Sequence, residues 1–154
     1  MATTNRHGRF TIRRAADNDA EAVTQLALSF HREDGHPLSQ KGIDALLEML
    51  KPDFRDGRVL LMIVDDQISG YGVLCHGYSI EFGGRDAFLD DIYIVPAHRS
   101  RGLGSALVES LEQCAREAGC RAIHLEIMPR NRAENLYRRL NYHDRGSKLL
   151  SKPL

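Results

Sequence analysis

The stretch Asp91–Ser105, DIYIVPAHRSRGLGS, decides the fold of this 154-residue chain. An apolar strand pattern ends at Pro96, which cannot donate a ladder hydrogen bond, and a basic turn with two glycines follows. Apolar residues then recur with helical spacing, so the stretch predicts a strand, a glycine turn and the start of a long helix. The first N–H groups of such a helix lack intrahelical partners and lie at the positive end of its dipole. The turn is therefore a candidate phosphate-binding site.

The residue types in this turn favour an anionic ligand but fit neither of two common nucleotide motifs. Gly102 and Gly104 let the backbone approach a ligand, because neither carries a Cβ, and Arg99 and Arg101 add positive charge. The lysine-containing P-loop pattern is absent from the chain. A dinucleotide-binding turn needs a third small residue at a position that is Leu107 here. A glycine turn alone is a weak signal, since many such turns bind nothing.

The sequence on either side of this stretch predicts a mixed α/β domain. Strand patterns cover 9–14, 58–64, 67–82, 87–95 and 122–128; helical patterns cover 18–30, 39–50, 102–118 and 132–140; and 141–154 has room for one or two short strands. The polar segment 31–38 predicts a loop between the first two helices. The order β-α-α-β-β-β-α-β-α-β predicts a mixed, mostly antiparallel central sheet flanked by helices.

Composition narrows the class of protein further. The chain has 21 Lys+Arg and 21 Asp+Glu, so its formal net charge is zero and a chain-wide basic surface for nucleic acid is absent. No run of 18 apolar residues and no signal-like segment is present, so we expect a cytoplasmic protein without a membrane span. Three cysteines without CxxC spacing fit a reduced compartment, and the histidines show no metal-ligand spacing. The length fits a single domain over residues 1–154.

The string Arg99-Ser100-Arg101-Gly102-Leu103-Gly104 fits the motif Arg/Gln-x-x-Gly-x-Gly/Ala of the Gcn5-related N-acetyltransferases. The preceding LDDIYIVP, residues 89–96, resembles the central strand of that family, and LYRRLNY, residues 136–142, resembles its C-terminal segment. The resemblance covers about residues 9–145 in the element order of the family. It implies the acyl-CoA N-acyltransferase fold and the transfer of an acetyl group from acetyl-CoA to an amine.

The resemblance also implies where acetyl-CoA binds. Backbone N–H groups of the glycine turn would hold its pyrophosphate, and the central strand would pair with its pantetheine arm as with an added strand. The positions implied are Ile92, Tyr93, Ile94, Arg99, Ser100, Arg101, Gly102, Leu103, Gly104 and Ser105. Pairing of this kind requires the strand at 122–128 to splay away. The family usually has an asparagine where this chain has Arg130, so Asn131 or Asn135 makes that contact, or the contact is missing.

Four residues are candidates for proton transfer. Tyr137 matches the family's tyrosine that protonates the departing thiolate, and an ordinary tyrosine is protonated at neutral pH; the alternative is a tyrosine that only packs. The base that takes the proton of the amine is Asp91, Glu81 or Asp90, or a chain of water molecules. Since Asp90 and Asp91 point to opposite faces of their strand, at most one of them faces a given cleft.

The acceptor amine is left open by these motifs. In the family the loop between the first two helices borders the acceptor site, so His31, Glu33, Asp34 and His36 are candidates for setting acceptor preference. A small amine or polyamine is the first expectation, a protein N-terminus or lysine the second, and an aminoglycoside-like amine the third. A propionyl- or succinyl-CoA donor, a homodimer, which is common in the family, and a non-catalytic acyl-CoA sensor are also compatible with the sequence.

Overall fold

A computed structural model of the chain describes residues 3–5, 8–128 and 133–154. These ranges contain β1 Thr3–Asn5, β2 Gly8–Arg14, α1 Ala20–Glu33, α2 Gln40–Glu48, β3 Gly57–Val64, β4 Gln67–Ser79, β5 Gly84–Ile94, α3 Leu103–Glu117, β6 Ile123–Leu125 and α4 Glu134–Arg139. The strands pair in chain order into one sheet, and every neighbouring pair is antiparallel except β5 and β6, which run parallel. The predicted mixed, mostly antiparallel sheet flanked by helices is confirmed. None of the helices described is long and apolar enough to cross a membrane.

The sheet carries an apolar layer on each face. On one face α3 packs through buried residues such as Leu107 and Leu111, and Tyr137 of α4 joins this cluster. On the other face α1 and α2 pack against Tyr71 of β4. Each helix buries one apolar stripe, as expected of amphipathic helices on a sheet. β5 contributes to both layers, and its Leu89 packs in the layer that contains α3. The strand that carries the predicted site is therefore held from both sides.

A β-bulge in β5 decides which way its two aspartates point. Leu74 of β4 pairs with Leu89, but Val73 pairs with Asp91, so Asp90 is an extra residue in the ladder. Because side chains alternate along a strand, one extra residue reverses the facing of every position that follows. Asp91 consequently faces the α1 and α2 layer and is buried, with 8 % of its surface exposed, whereas Asp90 is exposed.

β5 and β6 are hydrogen-bonded to each other over only three residue pairs. The parallel ladder joins residues 87–89 of β5 to Ile123–Leu125, and no pair beyond it exists within the described residues. From Asp90 to Ile94 the backbone of β5 thus has β4 on one side and an open edge on the other. The splay that the family resemblance requires is present, although β6 is shorter than the predicted 122–128.

Several element boundaries differ from the predictions. The long strand ends at Ser79 rather than at 82, because residues 80–83 form the hairpin turn. The strands expected within 141–154 are not formed: this segment, which is described throughout, contains none. The first helix continues past residue 30 to Glu33, so His31 and Glu33 lie on its last turn and not in a loop. This last difference places two acceptor-side candidates on a rigid element.

Candidate active site

The glycine turn joins the open part of β5 to the first turn of α3. A short 3-10 turn, Pro96–His98, follows β5, and Gly102 directly precedes α3. Ser100 and Gly102 have positive φ angles of 61° and 76°, and such residues curl a backbone into the concave turns that bind anions. A Cβ at Gly102 would meet nothing within 4 Å, so glycine is favoured there by the φ angle and not by crowding.

The first turn of α3 offers N–H groups to a ligand. Gly102 is the N-cap and has no side chain to cap the helix, and its carbonyl oxygen accepts the first helical bond, from Ala106 at 3.1 Å. The N–H groups of residues 103–105 therefore have no helical acceptor and lie at the positive end of the dipole. The N–H of Arg99 already donates to the Pro96 carbonyl at 3.3 Å. The free groups thus begin after Arg99.

The two arginines of the turn differ in their contacts. Arg99 donates through Nε to the Ile94 carbonyl at 2.7 Å and pairs with Glu33 at 2.8 Å, and its guanidinium lies 5.2 Å from the centre of the Tyr93 ring. Arg101 is exposed and makes no ion pair with any described residue. Arg101 consequently supplies the available positive charge at the turn, while Arg99 ties the turn to α1.

Tyr137 lies on α4, which packs against the first turn of α3. A Cβ at Gly104 would stand 3.0 Å from Leu136, so the absence of a side chain there makes room for α4 rather than for a ligand. The Tyr137 ring is buried and contacts the ring of Tyr142 edge to face at 5.8 Å. Burial raises the pKa of Tyr137 to about 12, so its hydroxyl keeps its proton at neutral pH and can donate it.

Asp91 is the centre of a polar cluster on the opposite face of the sheet. The Tyr71 hydroxyl donates to Oδ2 of Asp91 at 2.5 Å, and Nε2 of His31 lies 3.3 Å from the same oxygen. Burial raises the pKa of Asp91, while the Tyr71 hydrogen bond and the nearby His31 act in the opposite direction. Burial, reinforced by the charge of Asp91, also raises the pKa of Tyr71, so the phenol stays protonated. A buried carboxylate with a raised pKa has the chemistry of a general base.

The structure does not bring Glu81 to this cluster. Glu81 lies in the hairpin turn, where it forms an exposed ion pair with Arg145. At about 3.3 Å per residue, the strand from Gly84 to Asp91 spans about 23 Å, which separates the turn from Asp91. Asn135 is exposed on α4, and Asn131 lies outside the described residues.

Sequence reasoning missed Tyr71 as a site residue. Tyr71 pairs with Tyr93, and Val73 pairs with Asp91, so Tyr71 lies two positions away from Asp91 on the same face of the sheet. The only available signal was a polar tip on a residue in an apolar strand. The central-strand residues Ile92, Tyr93 and Ile94 lie on the open part of β5, where the resemblance requires them.

Comparison with known sequences supports the resemblance. The profile of the Acetyltransferase (GNAT) family matches residues 20–142. The thialysine N-epsilon-acetyltransferase of Bos taurus is 35 % identical over 78 residues, which are 50 % of this chain and 45 % of that protein. The match therefore spans less than half the length of this curated relative. The uncharacterized N-acetyltransferase YhfO of Bacillus subtilis (strain 168) is 24 % identical over 134 residues, 86 % of this chain and 89 % of that protein.

Solved structures share the fold over nearly the whole chain. An integron cassette protein from the mobile metagenome of Cole Harbour Salt Marsh is 32 % identical, with a TM-score of 0.80 over 93 % of this chain and 90 % of that chain. The aminoglycoside N-acetyltransferase AAC(6')-Iy in complex with CoA is 15 % identical, with a TM-score of 0.81 over 98 % and 99 % of the two chains, a likeness of fold alone. With the family profile covering most of its length, this chain belongs to the Acetyltransferase (GNAT) family.

Proposed function

We propose that this protein is an N-acetyltransferase that moves the acetyl group of acetyl-CoA to the primary amine of a small molecule. The observation that carries the proposal is the open backbone edge of β5, which leads directly into the free N–H groups of α3. A chain of amide groups fits an open strand edge, and a diphosphate fits a helix N-terminus with a free arginine beside it. Family membership supports acetyl-CoA as the donor.

Asp91 and Tyr137 are assigned the two proton transfers of a direct acetyl transfer. The two side chains lie on opposite faces of the sheet, one in the α1 and α2 layer and the other in the α3 and α4 layer. Asp91 takes a proton from the acceptor ammonium, and the electron pair of the freed amine forms the new bond to the thioester carbonyl carbon. The C–S bond breaks, and Tyr137 donates its proton to the departing sulfur. A backbone N–H near Ile92 or Tyr93 polarises the carbonyl group.

A small cationic amine is the acceptor that the charges favour. Asp91 is a buried carboxylate, Asp90 beside it is exposed, and Glu33 lies nearby on the last turn of α1. Negative charge near the point where the ammonium group loses its proton attracts that group electrostatically. Relatives described as acting on thialysine and, among the structural neighbours, on aminoglycosides support an amine acceptor of this kind.

The donor is tested by a thermal-shift titration with acetyl-CoA, using NAD and ATP as control ligands. A ligand at 100 times its Kd stabilises a protein by about 2.7 kcal/mol, which raises the melting temperature of a domain of this size by about 5–10 °C. A shift with acetyl-CoA alone supports the proposal. No shift with acetyl-CoA contradicts it.

The acceptor is tested by acetyl-CoA-dependent thiol release with a panel of amines. The panel contains thialysine, a polyamine, an aminoglycoside, a peptide with a free N-terminus and a peptide with an internal lysine. We expect turnover with at least one small amine. Turnover with a peptide alone would replace the small-molecule acceptor by a protein, and saturable binding of acetyl-CoA without turnover would indicate a non-catalytic sensor.

A further inference from the structure

The two oxygens of the Asp91 carboxylate have unequal surroundings. The Tyr71 hydroxyl and Nε2 of His31 both contact Oδ2, at 2.5 and 3.3 Å. Among the described residues no hydrogen bond reaches Oδ1. The carboxylate is thus held by one oxygen, and the lone pairs of the other oxygen are left for a ligand.

Both ring nitrogens of His31 face oxygen atoms. Its Nε2 faces Oδ2 of Asp91, and its Nδ1 faces the main-chain oxygen of His36 at 3.2 Å. A carbonyl oxygen and a carboxylate oxygen only accept hydrogen bonds, and only the imidazolium form donates from both ring nitrogens. A neutral imidazole would leave one lone pair facing an oxygen lone pair. His31 in its imidazolium form would donate to both oxygens at once, with its positive charge beside Asp91.

Opposing influences act on Asp91 from three elements. Burial raises its pKa; the Tyr71 hydroxyl from β4 and His31 from α1 lower it; and Asp90, its neighbour in β5, raises it. A carboxylate that must accept a proton from an ammonium has to be ionised when the ammonium arrives. Tyr71 and His31 are the two groups that oppose the effect of burial on the pKa of Asp91.

We propose that His31 is a positioning residue for the acetyl transfer: with Tyr71 it fixes Oδ2 of Asp91 and keeps the carboxylate ionised, so that Oδ1 accepts the proton of the incoming ammonium. In this step the ammonium loses one proton and becomes a neutral amine, Asp91 gains that proton, and His31 and Tyr71 keep theirs. The inference rests on the proposed function, since it assigns how Asp91 acts within it.

The test is the pH profile of kcat/KM for the amine in a His31→Gln variant. The substitution removes the positive charge but keeps an N–H donor. We expect the acidic limb of the profile to move to higher pH by about 1–3 units, the usual effect of losing an opposite charge at this range. The matched control is His143→Gln, which changes an exposed histidine of the segment 141–154 that has no part in the Asp91 cluster. Its profile should coincide with that of the wild type.

Two outcomes with His31→Gln overturn the inference. A profile that coincides with the wild type would show that His31 does not act on the ionisation of Asp91. A loss of activity at every pH together with the disappearance of the acidic limb would make His31 itself the base. Tyr71→Phe is the second variant, because it removes one hydroxyl from the same Oδ2; we expect its acidic limb to shift in the same direction.

A measurement without turnover separates this inference from the proposed function. The carboxyl carbon of Asp91 is titrated by NMR in the unliganded wild type, His31→Gln and His143→Gln proteins. We expect Asp91 to titrate at higher pH in His31→Gln alone, and an unchanged titration contradicts the inference. Absence of acetylation in the wild type would contradict the proposed function, whatever the titration shows.

Discussion

The glycine turn and the Asp91 cluster are the two halves of the proposed site, and they are built in different ways. The turn uses consecutive residues, 99–105, and contributes mainly backbone N–H groups. The cluster uses side chains from α1, β4 and β5; His31 and Asp91 are 60 residues apart, and Tyr71 and Asp91 are 20 residues apart. A site made of consecutive backbone groups leaves a pattern in the sequence. A site made of side chains that meet across a sheet exists only when the strands pair.

The largest expected effect comes from the side-chain half. Asp91→Asn removes the proposed base, so we expect kcat/KM for the amine to fall by about 10²–10⁴-fold, the usual contribution of general base catalysis. The Kd of acetyl-CoA should stay unchanged, because the glycine turn is untouched. Asp90→Asn is the matched control, since Asp90 is adjacent but exposed. Equal losses in the two variants would contradict the assignment of Asp91.

Tyr137→Phe tests the proposed acid on the other face of the sheet. We expect kcat to fall by about 10²-fold with little change in the Kd of acetyl-CoA, because only a hydroxyl is lost. Since the pKa of Tyr137 is about 12, the wild-type profile should show no basic limb from this group below about pH 11. Tyr142→Phe is the control: it removes a neighbouring hydroxyl that bonds to Glu112 at 3.1 Å. Unchanged turnover in Tyr137→Phe would remove the acid assignment.

The backbone half is tested by Gly102→Ala. A side chain at this φ angle costs about 1–2 kcal/mol, and distortion of the turn should raise the KM of acetyl-CoA about tenfold, equivalent to about 1.4 kcal/mol of binding. Gly119, at the other end of α3, has a φ angle of 78° and the same open surroundings. We expect Gly119→Ala to lose similar stability with an unchanged KM. A similar rise in KM in both variants would show a general loss of stability and not a role for the turn.

Arg101 and Arg99 should affect the binding of different substrates. Arg101→Gln removes the free cation of the turn, and we expect about a threefold weaker binding of acetyl-CoA, with the difference shrinking as salt increases. Arg99→Gln breaks the exposed ion pair with Glu33 and should raise the KM of the amine about threefold, within the range of surface ion pairs. Both are measured by steady-state kinetics at two ionic strengths. The opposite assignment of effects would show that Arg99 faces the phosphates.

The smallest expected effect is a gain of stability in Asp91→Asn. Burial raises the pKa of Asp91 above that of an ordinary aspartate, 3.8, so the folded protein holds this proton more tightly than the unfolded chain. The free energy of unfolding therefore falls as pH rises through the interval above 3.8. At neutral pH we expect Asp91→Asn to melt a few degrees higher than the wild type, and the difference should vanish at strongly acidic pH. A lower melting temperature at neutral pH would contradict this sign.

The sequence predicted the elements better than their ends. Periodicity located the four α-helices of the described residues, and the glycine turn was found from Gly102 and Gly104 and from the two arginines before them. Periodicity was misleading for the segment 141–154. Leu149 and Leu150 suit a strand but are exposed. A strand forms only where a neighbouring strand offers hydrogen bonds. Periodicity also ended the first helix at residue 30. The last turn of α1 makes its contacts through His31 and Glu33 to residues of β5 and the glycine turn, which local propensity does not describe.

The sequence by itself determined the strand, the glycine turn and the helix of residues 91–117, because hydrophobic period, proline and glycine act within a few residues of each other. Only the tertiary structure decided which aspartate enters the site. Regular alternation would place Asp91 on the same side as Leu89, in the α3 layer, and the bulge at Asp90 reverses this. That extra residue is fixed by the register between β4 and β5, a property of two strands and not of one. The same register brings Tyr71 to Asp91.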